Sequence, residues 1–226
     1  MPRHQGFTLT ELLVVIAILL ILGGMLLPVI GLVRQAAMKS ACGSNQRQVA
    51  MAALAYAGEW EDCLPADRIL KSEGAATSPA WFHRLPEYMG LPDTGLDRTV
   101  FHCPGWRFPA TAVCPLAANY PRSFKQNDYL DFDLAAGVYQ YNQPAPSNRH
   151  LRLGSVPDHD ALLLYADGDL GKDGTTGYGQ WGRLQENLVD FGRHRGRAVG
   201  VMLDGHIGQA QRATDFTWVS RMWPAP

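Results

Sequence analysis

No charged side chain interrupts the chain between Leu12 and Val33, although charged residues occur on both sides of that run. The sequence also lacks the short strings that announce common catalytic sites. There is no Gly-x-Ser-x-Gly elbow, no phosphate-binding loop and no His-Glu-x-x-His. A serine-hydrolase elbow, a P-loop nucleotide site and a helical zinc-protease pair are thereby excluded. An excess of either charge is missing too: 20 Lys+Arg stand against 21 Asp+Glu, for a net charge of −1. The chain therefore carries no global electrostatic signature for nucleic acid or for an anionic membrane surface. Cysteine is sparse, and its four positions form no paired Cys-x-x-Cys knuckles, so zinc is not expected.

What is present begins with the uncharged run itself. A helix rises about 1.5 Å per residue and needs roughly 20 apolar residues to cross the hydrocarbon core, so Leu12–Val33 is long enough to span. A cleaved secretory signal has a shorter apolar region, of about 7–15 residues, followed by an Ala-x-Ala-like site. No such site follows here. An ordinary anchor gains nothing from Glu11, the carboxylate at the mouth of the run, because a charge in lipid is costly without a partner. Arg3 lies before the run and is expected to keep the first residues on the cytoplasmic side.

The string Gly6-Phe7-Thr8-Leu9-Thr10-Glu11 and its apolar continuation through Ile30 resemble the N-terminus of type IV pilins and of the pseudopilins of type II secretion systems. The resemblance implies that a prepilin peptidase cuts after Gly6 and methylates the new terminal amine on Phe7. It also implies that Glu11 pairs with the terminal amine of a neighbouring subunit during assembly. The likeness continues further along the chain. Cys42-x-x-Asn45-x-x-Gln48, Tyr56, Leu64-Pro65, Phe101-His102-Cys103-Pro104, Tyr139-Gln140-Tyr141-Asn142 and Leu162–Gly168 resemble segments of a pilin-like subgroup. The most specific feature is His194, followed by nine residues and then Asp204-Gly205. That spacing resembles the prepilin-type processing-associated His-x9-Asp-Gly domain. Leu70–Asp97 has no counterpart in this likeness.

The expected organisation is a leader at 1–6, a transmembrane and assembly helix at 7–33, its amphipathic half at 34–60 and a globular head at 61–226. Gly23, Gly24 and Pro28 are expected to loosen the apolar half. Val49, Ala53, Tyr56 and Trp60 form a stripe one helical face wide, with Arg34, Lys39, Arg47 and Gln48 available to water. Gly58 reads as the stop signal, so the helix is expected from near Thr8 to near Ala57. Ala198–Leu203 and His206–Gln211 read as two strands joined by Asp204-Gly205. Ala161–Ala166 followed by Asp167-Gly168 repeats that logic, and Val138–Tyr141 is a further strand candidate. About 170 residues after the helix suffice for one core. The expected fold class is α+β: a pilin-like lollipop with a long N-terminal helix packed on a small antiparallel sheet.

If Arg3 is inside, Cys42, Cys63, Cys103 and Cys114 all face the oxidising side, where three pairings are open. Cys103 with Cys114 is favoured because Pro104 and Pro109 make a compact loop, and Cys42 with Cys63 is the remaining pair. Asp167, Asp169 and Asp173, interleaved with glycines, form a candidate calcium loop; the full calcium-loop pattern with its terminal Glu is absent. No other cofactor is expected.

The expected function is that of a structural pilin or pseudopilin subunit rather than an enzyme. Its head would lie outside the inner membrane, crossed by a single helix. Its partners would be the prepilin peptidase, an inner-membrane assembly platform and other filament subunits, with no nucleic acid. The alternative is an anchored binding or hydrolytic head using His194 with Asp204, or the six tryptophans as a stacking surface.

Overall fold

Thr8 and Glu11 close the start of the first helix on themselves. The computed structural model describes residues 8–65, 81–91, 99–106, 123–127, 130, 152–168, 183–184 and 189–218. Its first element, α1, runs from Leu9 to Glu59. The Thr8 amide and hydroxyl donate to Glu11 Oε2 at 2.9 and 2.8 Å, and the Glu11 amide donates to Thr8 Oγ1 at 3.3 Å. This reciprocal capping box satisfies backbone donors that a helix start otherwise leaves open. Glu11, expected to lack a partner within its own chain, therefore has one.

The backbone remains helical through Gly23, Gly24 and Pro28, so the expected loosening does not break α1. The large apolar side chains from Leu12 to Val33 are 45–73% exposed. This is a helix long and apolar enough to cross a membrane. The chain forms two compact units, Met1–Met38 and Lys39–Pro226.

In the second unit, α1 buries Cys42, Gly43, Gln46, Val49, Ala50, Ala53, Tyr56 and Ala57. Val49, Ala53 and Tyr56 confirm most of the expected stripe. Trp60 departs from it: it is half exposed and lies beyond the helix, stacked on Tyr56 with ring centroids 5.5 Å apart. Gly58 does not stop the helix either. The chain leaves α1 through Glu61 and Asp62, whose φ angles of 53° and 65° put them in the left-handed region.

A short helix, α2 (Trp81–Tyr88), and five strands complete the named elements: β1 (Phe124–Asn127), β2 (Leu163–Asp167), β3 (Arg183–Leu184), β4 (Ala198–Met202) and β5 (Ile207–Ala210). The strand order is β3-β1-β2-β4-β5. All neighbours are antiparallel except β1 and β3, which run parallel. The architecture is thus α+β, as expected. The β4–β5 hairpin turns at Asp204-Gly205, and β2 pairs with β4. Val138–Tyr141 lies outside the described residues. β2 extends one residue further than its sequence suggests: Asp167 pairs with Phe124 in the ladder instead of opening a turn.

Both faces of the sheet are covered by packed apolar side chains. Val199 and Val201 of β4 join the core shared with α1, while Ala198 and Met202 join a second cluster with Phe216 and Trp218. A register shift between Leu163 and Tyr165 lets β2 place both Leu164 and Tyr165 with the α1-side core. Two glycines set the spacing. A Cβ on Gly43 would stand 3.3 Å from Ile207, so this glycine allows α1 to approach β5. A Cβ on Gly200 would stand 2.7 Å from Leu163 and 3.0 Å from the Phe216 ring.

Two substitutions separate packing from propensity. Gly200→Val overfills the second cluster and should destabilise the chain by about 1–3 kcal/mol. Gly58→Ala, in a helical position with nothing within 4 Å, should stabilise by about 0.5–1 kcal/mol. Urea unfolding of the detergent-solubilised chain reads both, and a neutral Gly200→Val would contradict the packing described.

Candidate functional site

Four segments that are remote in sequence converge at the end of β2. Cys42 comes from α1, Cys103 from the turn Cys103-Pro104-Gly105-Trp106, Asp167 from the last position of β2, and His194 from the turn before β4. Their Sγ, Sγ, carboxylate oxygen and imidazole nitrogen atoms all lie within 4.8 Å of one another, and all four residues are buried. Each comes from a motif noted in the sequence, yet no local spacing relates them.

Each element has a local reason to deliver its side chain. On α1, Gln46 Nε2 donates to Val199 O at 3.0 Å and lies 3.7 Å from Cys42 Sγ, fixing this turn of the helix to β4. Asn45 Nδ2 donates to His102 O at 3.2 Å and ties the same turn to the Cys103 segment. The Cys103 amide donates to Ser123 Oγ at 2.8 Å, and the Trp106 amide closes the turn on Cys103 O at 2.9 Å. The Gly105 amide points at Cys103 Sγ, 3.4 Å away. After His194, left-handed Arg195 and Gly196, with φ of 57° and 77°, redirect the backbone into β4.

Asp167 is the hub. Its Oδ1 accepts from Arg193 Nη1 at 2.9 Å, while Oδ2 lies 3.3 Å from both His194 Nε2 and Cys42 Sγ. Arg193 is held in turn by Asp190, at 2.6 Å, and by Gly168 O, at 2.5 Å. Cys103 Sγ lies 3.2 Å from His194 Nε2. One imidazole nitrogen thus meets both the sulfur and the carboxylate. In a nucleophilic triad the two ring nitrogens divide these tasks, one on the nucleophile and one on the orienting carboxylate. The arrangement is a converging cluster of donors rather than a relay.

The thiols are strongly inequivalent. The contact with Cys42, followed by those with His194 and the Gly105 amide, overcomes burial and lowers Cys103 to about 6. Cys42 is pushed up by its contact with Cys103, by burial and by the Asp167 carboxylate. Burial alone would lower His194, but its contacts with Asp167 and Cys103 outweigh it and raise the imidazole to about 9. Thiolate character is thus favoured on Cys103 and disfavoured on Cys42.

Several expectations change on this geometry. Cys42 and Cys63 do not face each other: among the described residues neither they nor Cys103 form a disulfide, and Cys63 Sγ donates to Glu61 O. Cys42 stands beside Cys103 instead, and the left-handed exit at Glu61 and Asp62 carries Cys63 into a bridge with Arg152. Cys114 lies outside the described residues, as do Gly6, Phe7, Asp169 and Asp173. Asp167, expected in a candidate calcium loop with Asp169 and Asp173, is instead buried at the end of β2 and turns its carboxylate into the interior. Gln48, the glutamine matching the motif, is exposed, and the buried role belongs to Gln46. Gln46 and Arg193 carry no signal in the sequence. Nothing about a lone polar residue on a helix or in a charged turn distinguishes an inward from an outward side chain.

The two halves of the His-x9-Asp-Gly string serve different ends. His194 enters the cluster, whereas Asp204-Gly205 builds the β4–β5 turn. Asp204 Oδ1 accepts from the His206 amide at 2.9 Å and lies 2.8 Å from His206 Nδ1, and Gly205 takes a φ of 89°. His194 and Asp204 thus hold different partners, which removes the geometric basis for a hydrolytic pair. The tryptophans are divided as well. Trp81 and Trp218 are buried in the two cores and Trp60 is half exposed, while Trp181 and Trp223 lie outside the described residues.

Comparison with known proteins adds one match: residues 1–27 fit the Prokaryotic N-terminal methylation motif. The match supports a pilin- or pseudopilin-type subunit with an N-terminal membrane helix. No curated protein and no solved structure matches the chain.

Arg193→Leu should cost about 3–5 kcal/mol, because it leaves the Asp167 carboxylate buried without its guanidinium. Arg152→Leu, which breaks the exposed pair with Glu61, should cost less than about 1 kcal/mol. Equal shifts of the two urea midpoints would contradict this assignment. At Asp204, burial raises the carboxyl, but the His206 amide and side chain outweigh it and hold it below its ordinary value. Its contribution is therefore present above the unfolded aspartate range and is lost as pH falls through the folded value. Urea midpoints measured from pH 6 downwards should fall less steeply for Asp204→Asn than for the parent chain.

Proposed function

We propose that this chain is a structural subunit of a type IV pilus-like or type II secretion filament. The observation that carries this reading is an apolar half-helix, exposed along its length, with one carboxylate at its start and a prepilin-type methylation motif over the same residues. In this reading a prepilin peptidase removes residues 1–6 after Gly6 and methylates Phe7. The subunit then resides in the inner membrane with its head on the outer side, until an assembly platform passes it to the filament. Packing Leu12–Val33 against the helices of other subunits replaces lipid contacts with helix contacts. The remainder of the chain is a head of the His-x9-Asp-Gly type.

The capping box sharpens the role of Glu11. In the free subunit the carboxylate is neutralised locally by helix-terminal donors. After cleavage the new amine on Phe7 lies beside Thr8, so the carboxylate of one subunit can exchange its capping donors for the amine of the next. The favourable charge pair is then gained at the moment of assembly, when water and lipid headgroups are excluded from it.

Two variants and a control test this reading in cells that carry the filament machinery. Gly6→Glu should leave the precursor uncut, as seen by its mass. Glu11→Gln can keep the capping geometry, since glutamine serves at that position, but it removes the charge. It should be inserted and cleaved normally yet be largely lost from filaments. Glu11→Ala should fail in the same way. Normal incorporation of Glu11→Gln together with failure of Glu11→Ala would reduce the residue to a helix cap and overturn the pairing.

A further inference from the structure

We propose that Cys42, Cys103, Asp167 and His194 bind one zinc ion in the head, as a closed structural site that locks the second half of α1 to the sheet.

The donor set is the first argument. Two sulfurs, one imidazole and one carboxylate are all ligands that zinc accepts, and four protein donors with no open position are the mark of a structural site. Hard cations such as calcium and magnesium take oxygen ligands, so two sulfurs argue against them. The second argument is spacing. Zinc bonds of about 2.0–2.3 Å place tetrahedral donors roughly 3.3–3.8 Å apart. Three of the pairwise separations here are 3.2–3.3 Å, and every pair falls within 4.8 Å. An ion at the centre needs only small shifts outward for some donors and inward for others.

The third argument is the surroundings. Ligating groups are normally oriented by outer partners that leave the coordinating atom free. Arg193 binds Asp167 Oδ1 and leaves Oδ2 facing His194 and Cys42. The Gly105 amide faces Cys103 Sγ in a turn formed by Cys103-Pro104-Gly105-Trp106. Gln46 Nε2 faces Cys42 Sγ. Charge closes as well. Two thiolates and a carboxylate are neutralised by a divalent cation together with the Arg193 guanidinium, whose other side faces Asp190 near the surface. Zinc takes its sulfur ligands as thiolates and its imidazole ligand neutral, so any protons these groups carry leave to solvent on binding.

The fold explains why such a site is useful. Its ligands come from α1, from the segment before β1, from β2 and from the turn before β4. One ion therefore joins the helix that carries the anchor to three parts of the sheet domain. The competing use of two adjacent sulfurs outside the cytoplasm is a disulfide between Cys42 and Cys103. That bond would use the two sulfurs alone, whereas a zinc ion also accounts for the approach of the Asp167 and His194 ligand atoms to them.

The test uses the full chain, purified from membranes in detergent without chelators after growth with added zinc. Elemental analysis should find about one zinc per chain, as a closed four-ligand site requires. His194→Ala and Asp167→Asn should each lose most of it. Because those variants can also lose their fold, a second measurement on the unaltered chain is decisive. Exchange of zinc for cobalt should produce thiolate-to-cobalt charge-transfer absorption. Stoichiometric metal with that spectrum supports the site. A metal-free chain overturns it, whether a non-reducing peptide map shows Cys42 joined to Cys103 or both thiols free. A cobalt spectrum without thiolate bands also overturns it, because the metal then sits elsewhere.

Discussion

The buried carboxylate of Asp167 is the constraint around which the head is arranged. A lone charge at the end of a strand, with no exposed surface, is untenable without compensation. Arg193 supplies the opposite charge on one oxygen, and the other faces the His194 imidazole and the Cys42 sulfur. Meeting that demand requires α1, the Cys103 turn and the approach to β4 to stand where they do. The side-chain bonds of Asn45 and Gln46 are the means by which the helix is registered against its neighbours. The core supplies most of the stability, and the polar cluster selects one alignment among those an apolar interface of small residues would accept.

The two units place unlike demands on one helix. From Leu12 to Val33, within the first unit, the helix is apolar all round and its large side chains are exposed. In the second unit the same helix buries one face of mostly small residues, among them Gly43, Ala50, Ala53 and Ala57. Small residues allow the backbone to approach the sheet, as the gap between Gly43 and Ile207 shows. The sequence marks this change of environment at Arg34 and Lys39. From there on, charged and polar side chains such as Arg47 and Gln48 share the helix with the buried stripe.

Much of the fold is legible in the residues themselves. The long helix, the hairpin at Asp204-Gly205 and the antiparallel pairing of the strand ending at Asp167 follow from hydrophobic period and turn chemistry, which act over a few residues. Sequence and fold part company where the controlling contact is distant. Gly58 has the chemistry of a stop, but glycine is tolerated in a helix, and the exit is set by left-handed Glu61 and Asp62. Asp167-Gly168 has the chemistry of a solvated turn because the acid precedes a glycine, yet pairing with Phe124 keeps it in the strand. The lack of a Cys-x-x-Cys knuckle weighs against zinc only for ligands adjacent in sequence. Cysteines from α1 and from the segment before β1 lie outside its reach.

By itself the sequence determined the long helix, the strands β2, β4 and β5 and the run fit for lipid, while α2, β1 and β3 carried no signal in it. An uncharged run of this length is fit for lipid wherever it is placed, and Thr8 with Glu11 marks its start through contacts three residues apart. Only the tertiary structure decided what His194, Cys42, Cys103 and Asp167 are for. Helical and strand periodicity fix which face a side chain occupies but not what it meets there. That meeting depends on how α1 and the strands pack, and packing joins residues far apart in the chain: Cys42 and Asp167 are 125 positions apart, and Gln46 and Val199 are 153. A motif string preserves such residues one at a time, while their chemistry exists only once the chain has brought them together.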